Sequence, residues 1–335
     1  MRLCNHGGRK KKKMRTKLGL MILGIFLIAG CMNCDSETNN DFSGRVVINE
    51  EGRKIYVECK GAGVPLVMFV AGLQDSAETW NKIEDPSEQT VFSAIAEGSR
   101  VCVYDRPGTI IETGPGVEDF ERSRSDPVMQ PITPANAAQD LHDLLSVIGE
   151  PGPHILVGHS AGGTFSLHYA SLFPEDVSGL VLIDYLPYKI RNHELMTTEL
   201  WEIWKKANTL PEFALDLYPD IERLDHEPSS QQLIAAPPLK PLSLIVLSAT
   251  ELPAVGPLVD AGLLTQEEAQ ALVAVLQDVL LDTRGDLVSE VPGAEHVTDT
   301  NSGHFIHQEQ PELVVEQIRK VLEAVRNGCA SLACK

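Results

Sequence analysis

The segment Pro153-His154-Ile155-Leu156-Val157-Gly158-His159-Ser160-Ala161-Gly162-Gly163 changes character in its middle. Pro153 to Val157 carries the unbroken apolar run of a strand buried on both faces. Gly158 to Gly163 then surrounds one serine with glycines, and helix-compatible residues follow. A serine on a tight strand-to-helix turn brings the flanking backbone close, so Gly158 and Gly162 leave room where a Cβ would clash. G-x-S-x-G in this setting presents Ser160 Oγ above the sheet edge, with the positive end of a helix beside it. The bland alternative is a glycine-rich turn with an idle serine; the strand-turn-helix context favours a nucleophile.

Outward from that turn, β-branched runs alternate with helical stretches from Arg45 onward. The pattern predicts an α/β fold, a mostly parallel sheet with helices on both faces. Strands are predicted near 45–49, 54–59, 65–70, 100–104, 154–158, 178–184, 243–248 and 294–298, and helices near 78–96, 134–148, 161–173, 265–282 and 310–326. Thr133-Pro134 gives the second helix an N-cap and a first-turn proline, and Gly149 stops it. Residues 187–240 break the alternation with helical and proline-rich pieces, which predicts an inserted helical cap. Within it, Leu200, Trp201, Ile203 and Trp204 fall at helical spacing. The tryptophans form either an aromatic wall over an acyl pocket or, more simply, the packed face of a cap helix.

Around the serine turn, the chain resembles the serine-nucleophile branch of the α/β-hydrolase fold superfamily over residues 45–327. Three further segments carry the resemblance, in the family's order. Val70-Ala71-Gly72-Leu73, ahead of Trp80, resembles the His-Gly-x oxyanion loop, with Ala71 in place of the histidine. Tyr104-Asp105-Arg106-Pro107-Gly108 resembles the Asp-x-x-Gly-x-Gly turn, where Asp105 and Arg106 read as anchors. Ser302-Gly303-His304-Phe305 follows the last strand, where the family places its general base. The resemblance implies Ser160 as nucleophile, His304 as base with His307 as its rival, and the backbone N–H groups of Leu73 and Ala161 as the oxyanion hole. Each such donor is worth about 3 kcal/mol to the transition state. The acid is open. Val181-Leu182-Ile183-Asp184 ends the sixth strand in an aspartate, whereas the seventh runs into Ala249-Thr250-Glu251. Asp184 is the first candidate, Glu251 the alternative and Asp260 a distant third. A serine at 160 argues against the dehalogenase and epoxide-hydrolase branches, whose covalent ester forms on a carboxylate.

The first thirty residues read differently. Lys10 to Lys17 form a basic stretch and Leu18 to Ala29 an apolar run too short for a bilayer span. Leu27-Ile28-Ala29-Gly30-Cys31 resembles the lipobox of bacterial lipoproteins. It implies cleavage before Cys31, a diacylglycerol on its thiol, and a protein held on a membrane of the cell envelope outside the cytoplasm. An ordinary cleaved signal and an uncleaved anchor are the competing readings, and Met14 is an alternative start. Residues 31–44 are expected to form a flexible polar tether, and 328–335 a short tail.

Charge and cysteines bound the partners. The chain has 28 Lys+Arg against 47 Asp+Glu, a formal −19. Residues 1–30 hold eight of the cations and no acid, so the remainder has 20 against 47, or −27. That field repels polyanions and excludes nucleic acid as a partner. Export would permit disulfides among Cys34, Cys59, Cys102, Cys329 and Cys334, an odd set. Cys102, inside an apolar strand, reads as a small buried hydrophobe, and Cys329 with Cys334 as a pair closing a loop in the tail. No Cys/His spacing reads as a metal site, and the chemistry needs no cofactor. The expected activity is acyl-enzyme hydrolysis of a small or medium uncharged ester. Amide hydrolysis, perhydrolysis and carbon-carbon cleavage could use the same triad, and a catalytically silent binding lipoprotein is the reading from another class.

Overall fold

The computed structural model describes residues 41–113, 120–210, 212–252 and 255–333. The targeting segment, Cys31 and most of the tether lie outside them. Among the described residues, eight strands form one sheet: β1 (Phe42–Val47), β2 (Lys54–Lys60), β3 (Val67–Val70), β4 (Val101–Tyr104) and, past a small separate hairpin of β5 (Ile110–Glu112) and β6 (Phe120–Arg122), β7 (His154–His159), β8 (Val177–Ile183), β9 (Ser243–Leu247) and β10 (Glu295–Val297). Their spatial order is β1-β2-β4-β3-β7-β8-β9-β10. β2 runs antiparallel to both neighbours, and every pairing from β4 to β10 is parallel.

The helices are α1 (Val91–Ala96), α2 (Pro134–Ile148), α3 (Ala161–Leu172), α4 (Thr198–Ala207), α5 (Glu212–Leu217), α6 (His226–Ile234), α7 (Gly256–Asp260), α8 (Gln266–Glu290), α9 (Ile306–Glu309) and α10 (Pro311–Arg326). The central strands are apolar on both faces because both faces are covered. Met68, Leu156, Leu182 and Leu244 meet Leu141 and Leu144 of α2 and Phe165 of α3 on one side. Phe69, Val157, Val181 and Ile245, the adjacent residue in each strand, meet Phe92 of α1 and Ile318 and Val321 of α10 on the other. Burying each such side chain contributes about 1.5–3 kcal/mol.

All eight predicted strands are present. The second helix spans the residues expected: Asn136 Oδ1 accepts the Thr133 N–H at 2.9 Å, and Gly149 ends it at φ +71°. The helix expected over 78–96 is a correction. A 3-10 turn at Ala77–Asn81 gives way to a loop containing Pro86, and α1 starts only after Thr90, whose hydroxyl accepts the Ser93 N–H at 3.3 Å. Proline forbids the intervening helix. α8 outruns its predicted end at 282 by eight residues and reaches Glu290.

Cys102 is a second correction. It is buried, yet it is disulfide-bonded to Cys59, which lies directly opposite on the antiparallel neighbour β2. Cys329 is also disulfide-bonded; Cys334, its expected partner, lies outside the described residues.

Between β8 and β9 the chain forms a 3-10 turn at Tyr188–Asn192 and then α4, α5 and α6. Trp201 and Trp204 of α4 are buried and stacked, with ring centroids 4.8 Å apart, and Tyr188 meets both edge-on. Trp201 Nε1 donates to Glu227 Oε2 at 3.0 Å. This is packing, the simpler of the two readings.

Candidate active site

Ser160 sits between β7 and α3 with φ +52° and ψ −123°, a conformation that L-residues rarely adopt. The neighbouring glycines explain how it is held. A Cβ on Gly158 would lie 2.5 Å from Gly162 O and 2.6 Å from Gly163 Cα, and one on Gly162 would overlap the carbonyl oxygens of Val70 and Ala71. Strand β3, the turn and α3 therefore touch backbone to backbone. The Ser160 N–H donates to Ile183 O at 2.9 Å, and its carbonyl accepts the Gly163 N–H at 3.0 Å.

The adjacent strand β8 runs into Asp184, the first candidate for the acid. Asp184, also left-handed at φ +41°, is 6% exposed, and its Oδ2 lies 2.6 Å from His304 Nδ1. Its other oxygen accepts the Ala249 N–H at 3.1 Å and pairs with Arg284 Nη1 at 2.7 Å. Burial pushes this carboxyl up, but Arg284, the bond to His304 and the Ala249 N–H outweigh burial and hold it below the ordinary aspartate value. Arg284 is itself buried, and its remaining donors go to Tyr185 O at 2.7 and 3.1 Å and to Ser248 Oγ at 3.2 Å. The geometry separates the candidate acids. Glu251 is exposed and engages Ser302 O only through its backbone N–H, and Asp260 is exposed at the end of α7.

His304 is 29% exposed at its side chain, and its carbonyl accepts from His159 Nε2 at 2.9 Å. That bond puts the His159 proton on Nε2. It leaves His159 Nδ1 buried without a hydrogen bond, 3.9 Å from Asp75 Oδ2. Burial first, and then His307 and His304, push His159 well below the ordinary histidine value, so it is neutral. His307 is pushed down to about 3 by the same burial and by His304. It packs on Trp80, ring centroids 4.6 Å apart, and its Nε2 lies 3.5 Å from Thr79 Oγ1. The rival histidine is thus buried and packed between Trp80 and His159. Among the described residues no hydrogen bond joins Ser160 Oγ to His304, a contact that often tightens only when substrate binds.

The expected oxyanion donors are Ala161, next to the serine in the chain, and Leu73, two residues past Ala71, whose carbonyl lies against Gly162. Among the described residues, neither the Leu73 N–H nor the Ala161 N–H makes a hydrogen bond. Ala161 opens α3, where first-turn N–H groups have no partner within the helix, and Leu73 follows the contact between β3 and Gly162. Asp105 accepts the Ala77 N–H at 2.8 Å and pairs with Arg124 Nε at 2.6 Å, an anchor for the stretch after that loop. An apolar cavity of about 290 Å³ lies along α3, between Leu167, Tyr185, Tyr188 and the Pro237-Pro238 return; none of Ser160, Asp184 and His304 is in its wall. Among the described residues no three His, Cys, Asp or Glu side chains are grouped to hold a metal ion.

Sequence reasoning missed Arg284. It lies two residues past the predicted end of the helix at 282, inside the turns by which α8 outruns it. A lone cation between Asp282 and Asp286 was the available signal.

The sequence profile of the alpha/beta hydrolase family matches residues 67–317. Among curated proteins, a provisionally named carbamate hydrolase of Cronobacter sakazakii, RutD, is 30% identical over 122 residues, 36% of this chain and 38% of the relative. The chain therefore matches little more than a third of that relative's length. Among solved structures, naproxen esterase from Bacillus subtilis is similar with a TM-score of 0.51 at 16% identity, over 85% of this chain and 93% of the other. E-2-(acetamidomethylene)succinate hydrolase is similar with a TM-score of 0.51 at 16% identity, over 85% and 100%. At such identities the likeness is one of fold.

Proposed function

The chain belongs to the alpha/beta hydrolase family, and on that premise we propose that it is an extracytoplasmic serine hydrolase, anchored through Cys31, that cleaves small or medium uncharged carboxylic esters through an acyl-enzyme. The observation that carries the reading is the 2.6 Å bond between His304 Nδ1 and Asp184 Oδ2 beside a serine held at positive φ.

In this reading Ser160 Oγ attacks the ester carbonyl while His304 Nε2 takes its proton. Negative charge on the tetrahedral oxygen is met by the N–H groups of Leu73 and Ala161, and the imidazolium by the Asp184 carboxylate. Collapse expels the alcohol with the proton from His304. Water, deprotonated by the same imidazole, then releases the acid. The name of the Cronobacter relative favours one second reading, a carbamate as the substrate of the same site. The location rests on the lipobox-like Leu27–Cys31 and is supported by the Cys59–Cys102 disulfide, a bond typical of oxidising compartments.

The test is fluorophosphonate labelling of cells expressing the full chain, followed by membrane fractionation and peptide mass spectrometry. The label is expected on Ser160, in the membrane fraction, absent from Ser160→Ala and His304→Ala and released to the soluble fraction by Cys31→Ser. A folded protein that takes no label would sink the catalytic reading, and a Cys31→Ser protein that stays on the membrane would sink the lipid anchor.

A further inference from the structure

Arg106 reaches well beyond the turn it anchors. It is 1% exposed, and Glu222, from the loop joining α5 to α6, is fully buried. The two form a two-bond ion pair, Nε to Oε1 at 2.6 Å and Nη2 to Oε2 at 2.8 Å. The remaining capacity of the pair goes to one loop. Arg106 Nη1 donates to Ala71 O at 2.8 Å and Nη2 to Gly72 O. Glu222 Oε2 accepts the Gln74 N–H at 2.7 Å, and the Glu222 carbonyl accepts the Gln74 side-chain amide at 3.1 Å. Gln74 O accepts the Ile110 N–H at 2.7 Å.

Together these bonds occupy the carbonyls of residues 71, 72 and 74 and the amide of 74. They hold Gln74 at φ +67°, a left-handed conformation without glycine's freedom. The Leu73 N–H lies inside this set and takes part in none of its bonds. Glu222 is itself held by its N–H to Gly108 O at 2.8 Å, and a Cβ on Gly108 would lie 2.7 Å from Glu222 N. A buried ion pair is a poor source of stability, since apolar side chains of equal volume often serve as well. Such side chains could not grip two carbonyls and an amide of a strained turn.

We propose that Arg106 and Glu222 are positioning residues, whose ion pair fixes the Ala71–Gln74 turn so that the Leu73 N–H stays aimed at the developing oxyanion. The chain between β8 and β9 is thereby tied to the step in which charge develops, because a fixed donor needs no reorganisation during reaction. The inference rests on the serine-hydrolase reading of the site.

The test uses the full-length protein with the double variant Arg106→Met/Glu222→Leu, which removes the grip without stranding a buried charge. Arg106→Lys keeps the charge but loses the fork, and it serves if the double variant does not fold. With fluorophosphonate labelling of Ser160 and ester turnover measured on separate samples, kcat of the double variant is expected to fall about 10–100-fold, the scale of a misplaced oxyanion donor. KM should change by less than about threefold, as expected when only a transition-state interaction is lost. Affinity for a trifluoromethyl ketone, which forms a tetrahedral adduct, should fall in proportion to kcat, and amide hydrogen exchange across Ala71–Asp75 should quicken. Arg106→Lys should move in the same direction by a smaller factor. Unchanged kcat and exchange in a variant whose Ser160 still takes the label would overturn the positioning role alone. An unlabelled Ser160 in the unaltered protein would overturn the hydrolase reading, and this inference with it.

Discussion

Asp184 shows how much work one carboxylate does here. It orients His304, ties down Ala249 and neutralises Arg284. Asp184→Asn keeps the shape but can no longer hold the imidazole in its working tautomer, and kcat for an ester should fall about 10³–10⁴-fold. The same residue gives stability a pH dependence of definite sign. Its folded value lies below the ordinary one, so its contribution is complete above about pH 4 and is lost as the pH falls through the depressed folded value. Urea titrations at a series of pH values should show the wild-type advantage over Asp184→Asn shrinking below about pH 4; an advantage constant down to pH 2 would contradict it. At this scale the sequence was only half legible. Serine and histidine were marked by their small neighbours, whereas the acid stayed open between Asp184 and Glu251. Arg284, the cation that keeps Asp184 ionised in a buried place, stands a hundred residues away, and local pattern carries no trace of such a pairing.

Turns rather than strands or helices concentrate the strain. The non-glycine residues of positive φ among the described residues are Gln74, Ser160, Asp184 and Asn301, and each lies in a loop that meets the site. Such conformations persist only where the surroundings over-determine them. Gly162 is the tightest constraint, because its Cα lies against the backbone of β3. Gly162→Ala should separate α3 from that strand, cost about 1–3 kcal/mol or more, and abolish labelling of Ser160. Gly285→Ala in α8, where an added Cβ meets nothing within 4 Å, should instead raise stability by about 0.5–1 kcal/mol. Thermal unfolding of the two variants checks both, and a benign Gly162→Ala would refute the close-contact account of the turn. Elements with strong periodicity and clear caps, such as α2 and the central strands, could be read directly. The α1 region was misread, since Pro86 and the polar stretch 84–90 around it mark a break that the predicted helix ran through. The β5–β6 hairpin was not read either, since each of its strands is only three residues long.

Across the whole molecule, what escaped the sequence was register. Cys59 and Cys102 are 43 residues apart, and only the antiparallel placement of β2 beside β4 brings them face to face. Their bond should contribute about 2–4 kcal/mol. Reduction, or Cys59→Ser with Cys102→Ser, should lower the melting temperature by about 5 °C in a domain of this size; calorimetry with and without reductant reads it directly, and an unmoved transition would mean the bond constrains little. The same bond has a mechanical meaning. β1 is the edge of the sheet, and its first residue, Phe42, pairs with Cys59, so Phe42, Cys59 and Cys102 form one row across three strands. A pull on the amino-terminal side would peel β1 from β2 and then β2 from β4, and would stop where Cys59 passes the load through sulfur into the centre of the sheet. The stretch from β1 to Glu58 can be drawn out under tension while Ser160, Asp184 and His304 stay in place.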